Sequence, residues 1–209
     1  MSEADQPESS ADVAAMYDDW VVDGAYERDV AAWGYDLPDR VAALLAGRSV
    51  SQPTGGGTVL DAGCGTGLVG AALRKRGVPD VVGVDVSLAS LERARRSGAY
   101  RGVAQVDLEG RLPVADGAVD AVVNVGVLEY LPDPAATLEE FVRVVAPGGV
   151  VVVTHRSDLW EADDLDGVLD DLRAAGSVEP SVERLGAYLP GHEDFGDEID
   201  AMIAVLVRH

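Results

Sequence analysis

The sequence predicts an α/β fold in which a mostly parallel sheet carries helices on both faces. Three observations predict it. From residue 57 onward, short runs of β-branched residues alternate with amphipathic segments of helical period, the pattern of strands buried on both sides and joined by crossover helices. The first such run, Val59-Leu60-Asp61-Ala62, ends in a turn with three alternating glycines, Gly63-Cys64-Gly65-Thr66-Gly67. Asp61, Asp85 and Asp107 each close a strand-like run, so a parallel arrangement gathers three carboxylates along one sheet edge, where open α/β sheets bind ligands.

Taken in order, residues 1–56 read as a helical cap with a linker, and 57–209 as one compact ligand-binding unit. The polar residues 1–10 are expected to fray. Val13, Met16 and Tyr17 mark a first helix, residues 25–33 a second, and Leu37-Pro38 opens a third with Val41, Leu44 and Leu45 on one face. Ser49–Gly57 is a flexible connection rich in turn residues. Thr58–Asp61 is then a strand and Leu68–Arg76 its helix. Val81–Asp85 is a second strand, and Ser87 caps a helix with Leu88, Leu91 and Ala94 facing inward. Val103–Val106 and Val119–Val125 supply two more strands. Leu138, Phe141, Val142 and Val145 form the apolar face of the next helix, and Gly148-Gly149 turns it into the strand Val150–Thr154. Leu165, Val168, Leu169 and Leu172 have helical spacing. Two late strands, about 178–185 and 199–207, flank a loop at 186–198 that is either a pocket wall or a solvated connection.

Composition bounds the function. A chain of 209 residues suffices for a substantial core, and its formal charge of -21 argues against a nucleic-acid partner, which needs a basic footprint. The same charge favours cationic or neutral substrates, and is equally that of a solvated cytoplasmic surface. One cysteine cannot form an internal disulfide, no run is long enough to span a membrane, and the acidic start is unlike a secretory signal, so a cytoplasmic location is expected. Three histidines without zinc spacing predict no metal. Oligomeric state is not legible.

The turn carries most of the functional information. Gly63, Gly65 and Gly67 permit a ligand to approach the backbone where a Cβ would obstruct it, and the following helix directs its free amides there. The turn is read as having neither the dinucleotide spacing nor the Lys of a phosphate loop. Asp61 can accept hydrogen bonds from an ammonium. Asp85 can receive a ribose diol, or cap the helix after Ser87; Asp107 can receive an adenine amino group with Leu108 against the purine, or simply close a turn. Three carboxylates suit a nucleoside bearing an ammonium better than a phosphate-rich ligand, which they would repel. Cys64 reads as a small filler without a partner that would make it a nucleophile.

Asp61-Ala-Gly-Cys-Gly-Thr-Gly67, Val84-Asp85, Val106-Asp107-Leu108, Asp120-Ala-Val-Val-Asn-Val-Gly-Val-Leu-Glu-Tyr130 and Ala146-Pro-Gly-Gly149 together resemble the ordered motifs of Rossmann-like S-adenosylmethionine-dependent methyltransferases. The resemblance covers about 57–209. It implies a seven-stranded sheet of order 3-2-1-4-5-7-6 with strand 7 antiparallel, and S-adenosylmethionine as cofactor. It implies that Asp61 and Gly63, Cys64, Gly65 and Gly67 surround the methionine moiety, that Asp85 and Val86 meet the ribose, that Asp107 and Leu108 face adenine, and that Asn124 and Val125 border the sulfonium. Tyr17-Asp-Asp-Trp20 and Tyr26-Glu-Arg-Asp-Val30 are similar to the start of the Williams–Beuren-region methyltransferase-like proteins.

The expected reaction is N- or O-methylation of a small molecule or short peptide. Tyr17 is a lid residue over the cofactor, or an anchor of the first helix. His155, directly after the fifth strand, is the candidate general base, or it orients the substrate, or it pairs with an acidic neighbour. It gains interest because Tyr130 stands where many relatives of this type carry a histidine after the Leu-Glu pair. Tyr26, Tyr130, Arg156 and Trp160 are expected to meet substrate; Trp20 and Trp33 are packing or pocket-wall residues. Glu129 is read as a brace for the loop before Pro132, and His192 as solvent-exposed. Two other classes compete: a noncatalytic binding subunit on the same fold, and a nicotinamide-dependent reductase, which the reading of the turn disfavours.

Overall fold

The computed structural model describes residues 7, 9–48, 57–78, 80–196 and 198–209. Most of the expected linker and the first polar residues fall outside these. Three helices come first: α1 (Ser10–Trp20), α2 (Ala25–Ala32) and α3 (Leu37–Gly47). An alternating series follows, β1 (Val59–Ala62), α4 (Leu68–Lys75), β2 (Val81–Asp85), α5 (Leu88–Ser97), β3 (Gly102–Gln105), β4 (Val119–Asn124), α6 (Pro134–Val144) and β5 (Val145–Arg156). Then come α7 (Ser157–Ala162), α8 (Leu165–Ala174), β6 (Val178–Ala187) and β7 (Asp200–Arg208).

The strands form one sheet of order β3-β2-β1-β4-β5-β7-β6. Pairings from β3 through β5 are parallel, and β7 runs antiparallel to both neighbours, the arrangement that the resemblance implied. The strand period of two divides the core cleanly. Leu60, Val122, Val151, Val153 and Leu206 face α6 and α8 through Leu138, Phe141, Leu165 and Leu169. Val59, Ala121, Val123, Val150, Val152 and Ile203 face α3 and α4 through Leu37, Val41 and Leu73. A smaller cluster of Cys64, Leu91 and Ala94 packs against Tyr100, which also touches the second core.

Several local expectations need correction. Ser9 caps α1 by accepting from the Asp12 amide, so this part of the start is ordered as helix rather than frayed. Leu88 is 60% exposed, because the Ser87 cap sets the helix so that Ser90, Leu91 and Ala94 face in. Val145 belongs to β5, not to the preceding helix. Gly148-Gly149 lies within β5, which runs on through a register shift against β4; at Gly149 an added Cβ would stand 2.5 Å from the Asp120 carbonyl oxygen. His155 therefore lies inside β5, and helix α7 follows the strand directly.

Candidate functional site

The C-terminal ends of β1, β2 and β4 open into a cavity lined by Gly63, Cys64, Gly65, Asp85, Val86, Leu108 and Val125, with Asp107 at its rim. The turn is shaped by glycine: Gly63 has φ +79°, and a Cβ there would overlap the Val127 side chain at 2.5 Å. At Gly65 (φ +50°) nothing of the protein stands within 4 Å of the Cβ position, which leaves its face open to a ligand. Asp85 organises this turn. One carboxylate oxygen accepts from the Gly65 amide and the other from the Ser87 amide, both at 2.8 Å. Its carboxyl is raised above the ordinary range chiefly by burial. Thus Asp85 both braces the local backbone and lines the cavity.

Asp61, Gly67 and Asn124 are near this cavity but not on its wall. Asp61 is fully buried; one oxygen accepts from the Tyr100 hydroxyl at 2.7 Å, and Oδ1 has no partner. Burial, with Asp85 adding to it and Tyr100 opposing, pushes its carboxyl up to about 7. Gly67 serves close packing: its Cβ would stand 3.2 Å from the Ala94 backbone and 3.2 Å from the Tyr100 ring. Asn124 is buried and donates to the Ala62 carbonyl at 2.8 Å, tying β4 to β1. Gly65-Thr66-Gly67-Leu68-Val69-Gly70 does contain the dinucleotide spacing, so spacing does not separate this turn from a dinucleotide loop. Gly70 instead makes room for Tyr100, whose hydroxyl receives the Gly70 amide at 3.1 Å. Cys64 is buried, and burial pushes its thiol further up, which fits a filler.

Helix α1 crosses the cavity mouth. Ser10, Val13 and Tyr17 line it, although α1 has no fully buried residue. Polar ties hold it at both ends. The Ser10 hydroxyl donates to Asp107 at 2.7 Å, and Asp107 also accepts from the Glu109 amide at 2.9 Å. Asp18 accepts from the Ser87 hydroxyl at 2.5 Å and from the Ala89 amide at 3.1 Å. Ser10 and Asp18 escaped sequence reading because their partners lie far away along the chain.

A second cavity, about 330 Å³, adjoins the first. Tyr17, Tyr26, Tyr35, Gly126 and Tyr130 line both. Tyr17 stands edge-on to Tyr130 at 6.0 Å and to Tyr26 at 5.9 Å, and Trp20 edge-on to Tyr26 at 4.9 Å. Burial raises these phenols, with Tyr130 at about 12, so they stay neutral. Tyr188, Leu189, His192 and Phe195 close the far side, which makes the 186–198 loop a wall. His192 is not solvated as expected; its ring lies 4.5 Å from Trp33 and 4.6 Å from Phe195. Arg156 lines the chamber, paired with Asp158 at 2.6 Å and 4.6 Å over the Phe195 ring.

Two expected substrate contacts are absent from this chamber's wall. Trp160 is 3% exposed and donates its indole N–H to Asp166 at 3.1 Å. His155 is wholly buried, with Nε2 2.9 Å from Asp163 and Nδ1 3.8 Å from Glu129. Burial alone would lower its pKa, but the Glu129 and Asp163 carboxylates outweigh that and raise it. Glu129 stands on the wall in its place, accepting from the Tyr188 hydroxyl at 2.8 Å.

A mostly parallel sheet whose strand ends hold a glycine turn, a buried carboxylate beside it and a capped helix has the form of a Rossmann-like α/β fold, with the cavity at the strand ends where such sheets bind ligands. The comparisons give it a family. Residues 60–153 match the model of a methyltransferase domain. The chain is 37% identical over 186 residues to Methyltransferase-like protein 27 of Homo sapiens, covering 84% of this chain and 74% of that protein. It is 36% identical to an uncharacterized methyltransferase of Mycobacterium sp. (strain JLS) over 62% of this chain, and spans about half (52%) of that protein. Among solved structures, the [4+2]-cyclase SpnF matches with TM-score 0.73 at 20% identity over 97% of this chain and 98% of that one. Geranyl diphosphate C-methyltransferase of Streptomyces coelicolor A3(2) matches with TM-score 0.67 at 17% identity, covering 97% of this chain and 100% of that one. These last two likenesses show the fold alone. The chain belongs to the Rossmann-like S-adenosylmethionine-dependent methyltransferase family, related to Methyltransferase-like protein 27. It is an S-adenosylmethionine-dependent methyltransferase. Among the described residues no helix is long and apolar enough to cross a membrane.

Proposed function

We propose that the protein methylates nitrogen or oxygen on a small molecule or short peptide seated in the aromatic chamber. One observation carries this reading: the strand-end cavity and the chamber share a tyrosine wall, so donor and acceptor sites adjoin. The residues present fit the cofactor. Gly65 leaves a face open, Asp85 lines the cavity beside the turn, and the unpartnered Oδ1 of Asp61 is an acceptor that an ammonium would satisfy. Gly63, Gly65, Asp85, Val86, Asp107, Leu108 and Val125 would hold it, with Cys64 filling the turn. When bound, S-adenosylmethionine supplies an electrophilic methyl group: the acceptor's lone pair forms the new bond while the C–S electron pair remains on sulfur.

The chain's own contribution is positioning and exclusion of water. Neutral tyrosines surround the passage between the cavities, and the N-terminal helices, with α1 strapped over the donor cavity, act as the cap. Tyr26, Tyr130 and Arg156 are the proposed acceptor contacts. The test is calorimetric titration with S-adenosylmethionine, followed by a cofactor-dependent screen of cell extract for a species that gains one methyl group. A folded sample that binds the cofactor but methylates no species in the extract would refute the acceptor-site reading.

A further inference from the structure

The chamber is aromatic on most sides and carries an unbalanced negative charge. Arg156 is already matched by Asp158. Glu129 is only 4% exposed at its side chain, and its Oε2 has no hydrogen-bond partner. Behind it, a single imidazole faces two carboxylates, Glu129 and Asp163; even a protonated His155 leaves that group one charge negative. A buried carboxylate short of a donor is costly unless something supplies one. Rings of Tyr17, Trp20, Tyr26, Trp33 and Tyr130 line the same space, and aromatic faces attract cations, most strongly where water is excluded.

We propose that the acceptor is an amine, a small apolar molecule whose protonated nitrogen is received by the Glu129 carboxylate within this aromatic wall. The inference rests on the chamber being the acceptor site. An ammonium has no lone pair, so it must lose a proton before it can accept a methyl group. The Glu129 carboxylate takes that proton while both electrons of the N–H bond stay on nitrogen. His155, on the far side at 3.8 Å, is a positioning residue that holds Glu129 in place, not a group touching substrate. The overall charge of -21 favours entry of a cation.

Three probes of similar size test this: 2-phenylethylamine, 2-phenylethanol and 3-phenylpropionate, titrated into the full chain by ligand-detected NMR, with S-adenosylmethionine affinity measured on the same samples. The amine is expected to bind about ten-fold more tightly than the alcohol, and the acid most weakly. Glu129→Gln should erase the preference for the amine while cofactor affinity is kept. Glu129→Asp, which keeps the charge, should retain part of that preference, and the wild-type ratio of amine to alcohol affinity carries the test if the first variant does not fold. Equal binding of amine and alcohol, preference for the acid, no binding of the amine at millimolar concentration, or a preference that survives Glu129→Gln would each overturn the proposal. Wild-type protein that binds no cofactor fails the methyl-transfer reading instead, so the two failures are distinguishable.

Discussion

Asp61 gives the sharpest link between burial and ligand binding. Its carboxyl is wholly buried, has one donor in Tyr100, and is pushed to about 7 from an ordinary 3.8. Because the folded value is raised, the folded chain holds a proton that the unfolded chain has released between roughly pH 4 and 7. Stability from this group is therefore fully present below the unfolded value and is lost as pH rises through about 7. The shift corresponds to about 4 kcal/mol at most, at about 1.4 kcal/mol per pH unit. An ammonium reaching Oδ1 would favour the ionised carboxylate, so cofactor binding should expel this proton: about half a proton per site at pH 7, approaching one near pH 5.5 and vanishing above pH 8.5. Calorimetry in buffers of different ionisation enthalpy measures that number directly. Asp61→Asn should abolish the release and flatten the stability loss, while weakening cofactor affinity. Proton release that persists unchanged in Asp61→Asn, or none in the wild type between pH 6 and 7, would refute the reasoning.

Three further outcomes follow from the same geometry. Gly63→Ala combines a φ of +79° with overlap against Val127 and should destabilise the fold by about 1–3 kcal/mol, read by denaturant unfolding, with a larger loss of cofactor affinity. Asp18→Ala removes the acceptor for Ser87 and the Ala89 amide; hydrogen exchange in α1 should accelerate while that of the sheet is unchanged. His155→Gln should leave cofactor affinity intact and remove a pH dependence of opposite origin but equal sign to that of Asp61. The raised imidazole contributes stability present below pH 6.5 and lost as pH rises through its folded value, so thermal unfolding of the variant should lose that slope.

The sheet was legible because its signals are local and periodic. Alternation at 59–62, 121–123 and 150–153 assigns successive side chains to opposite cores, and the strand ends then bring Asp85, Asp107 and the glycine turn to one edge whatever the loops do. Errors arose where a local pattern met a tertiary demand. Gly148-Gly149 looks like a break, yet β4 accepts the irregularity and β5 continues through it. Leu88 has the spacing of a core residue, but the cap geometry rotates it outward. Gly67 looks ligand-facing from sequence, whereas the ring that it and Gly70 make room for, Tyr100, lies some thirty residues away.

The aromatic chamber was harder to read for a related reason. Its wall is assembled from α1, α2, the end of β4, the start of α7 and the 186–198 loop, so no spacing rule connects its members. Proximity to the sheet edge drew attention to His155, and the presence of an imidazole suggested a base. Strand parity supports the pairing with acidic neighbours: His155 pairs with Met202 across β5 and β7, and its ring lies between Glu129 and Asp163. Glu129, read as a loop brace, lies in the 3-10 turn after β4, where the chain bends back over the chamber. Buried beside that imidazole, it keeps one carboxylate oxygen, Oε2, without a hydrogen-bond partner. A site of this kind is found by asking which buried charge lacks a partner, a question that requires the fold before it can be posed.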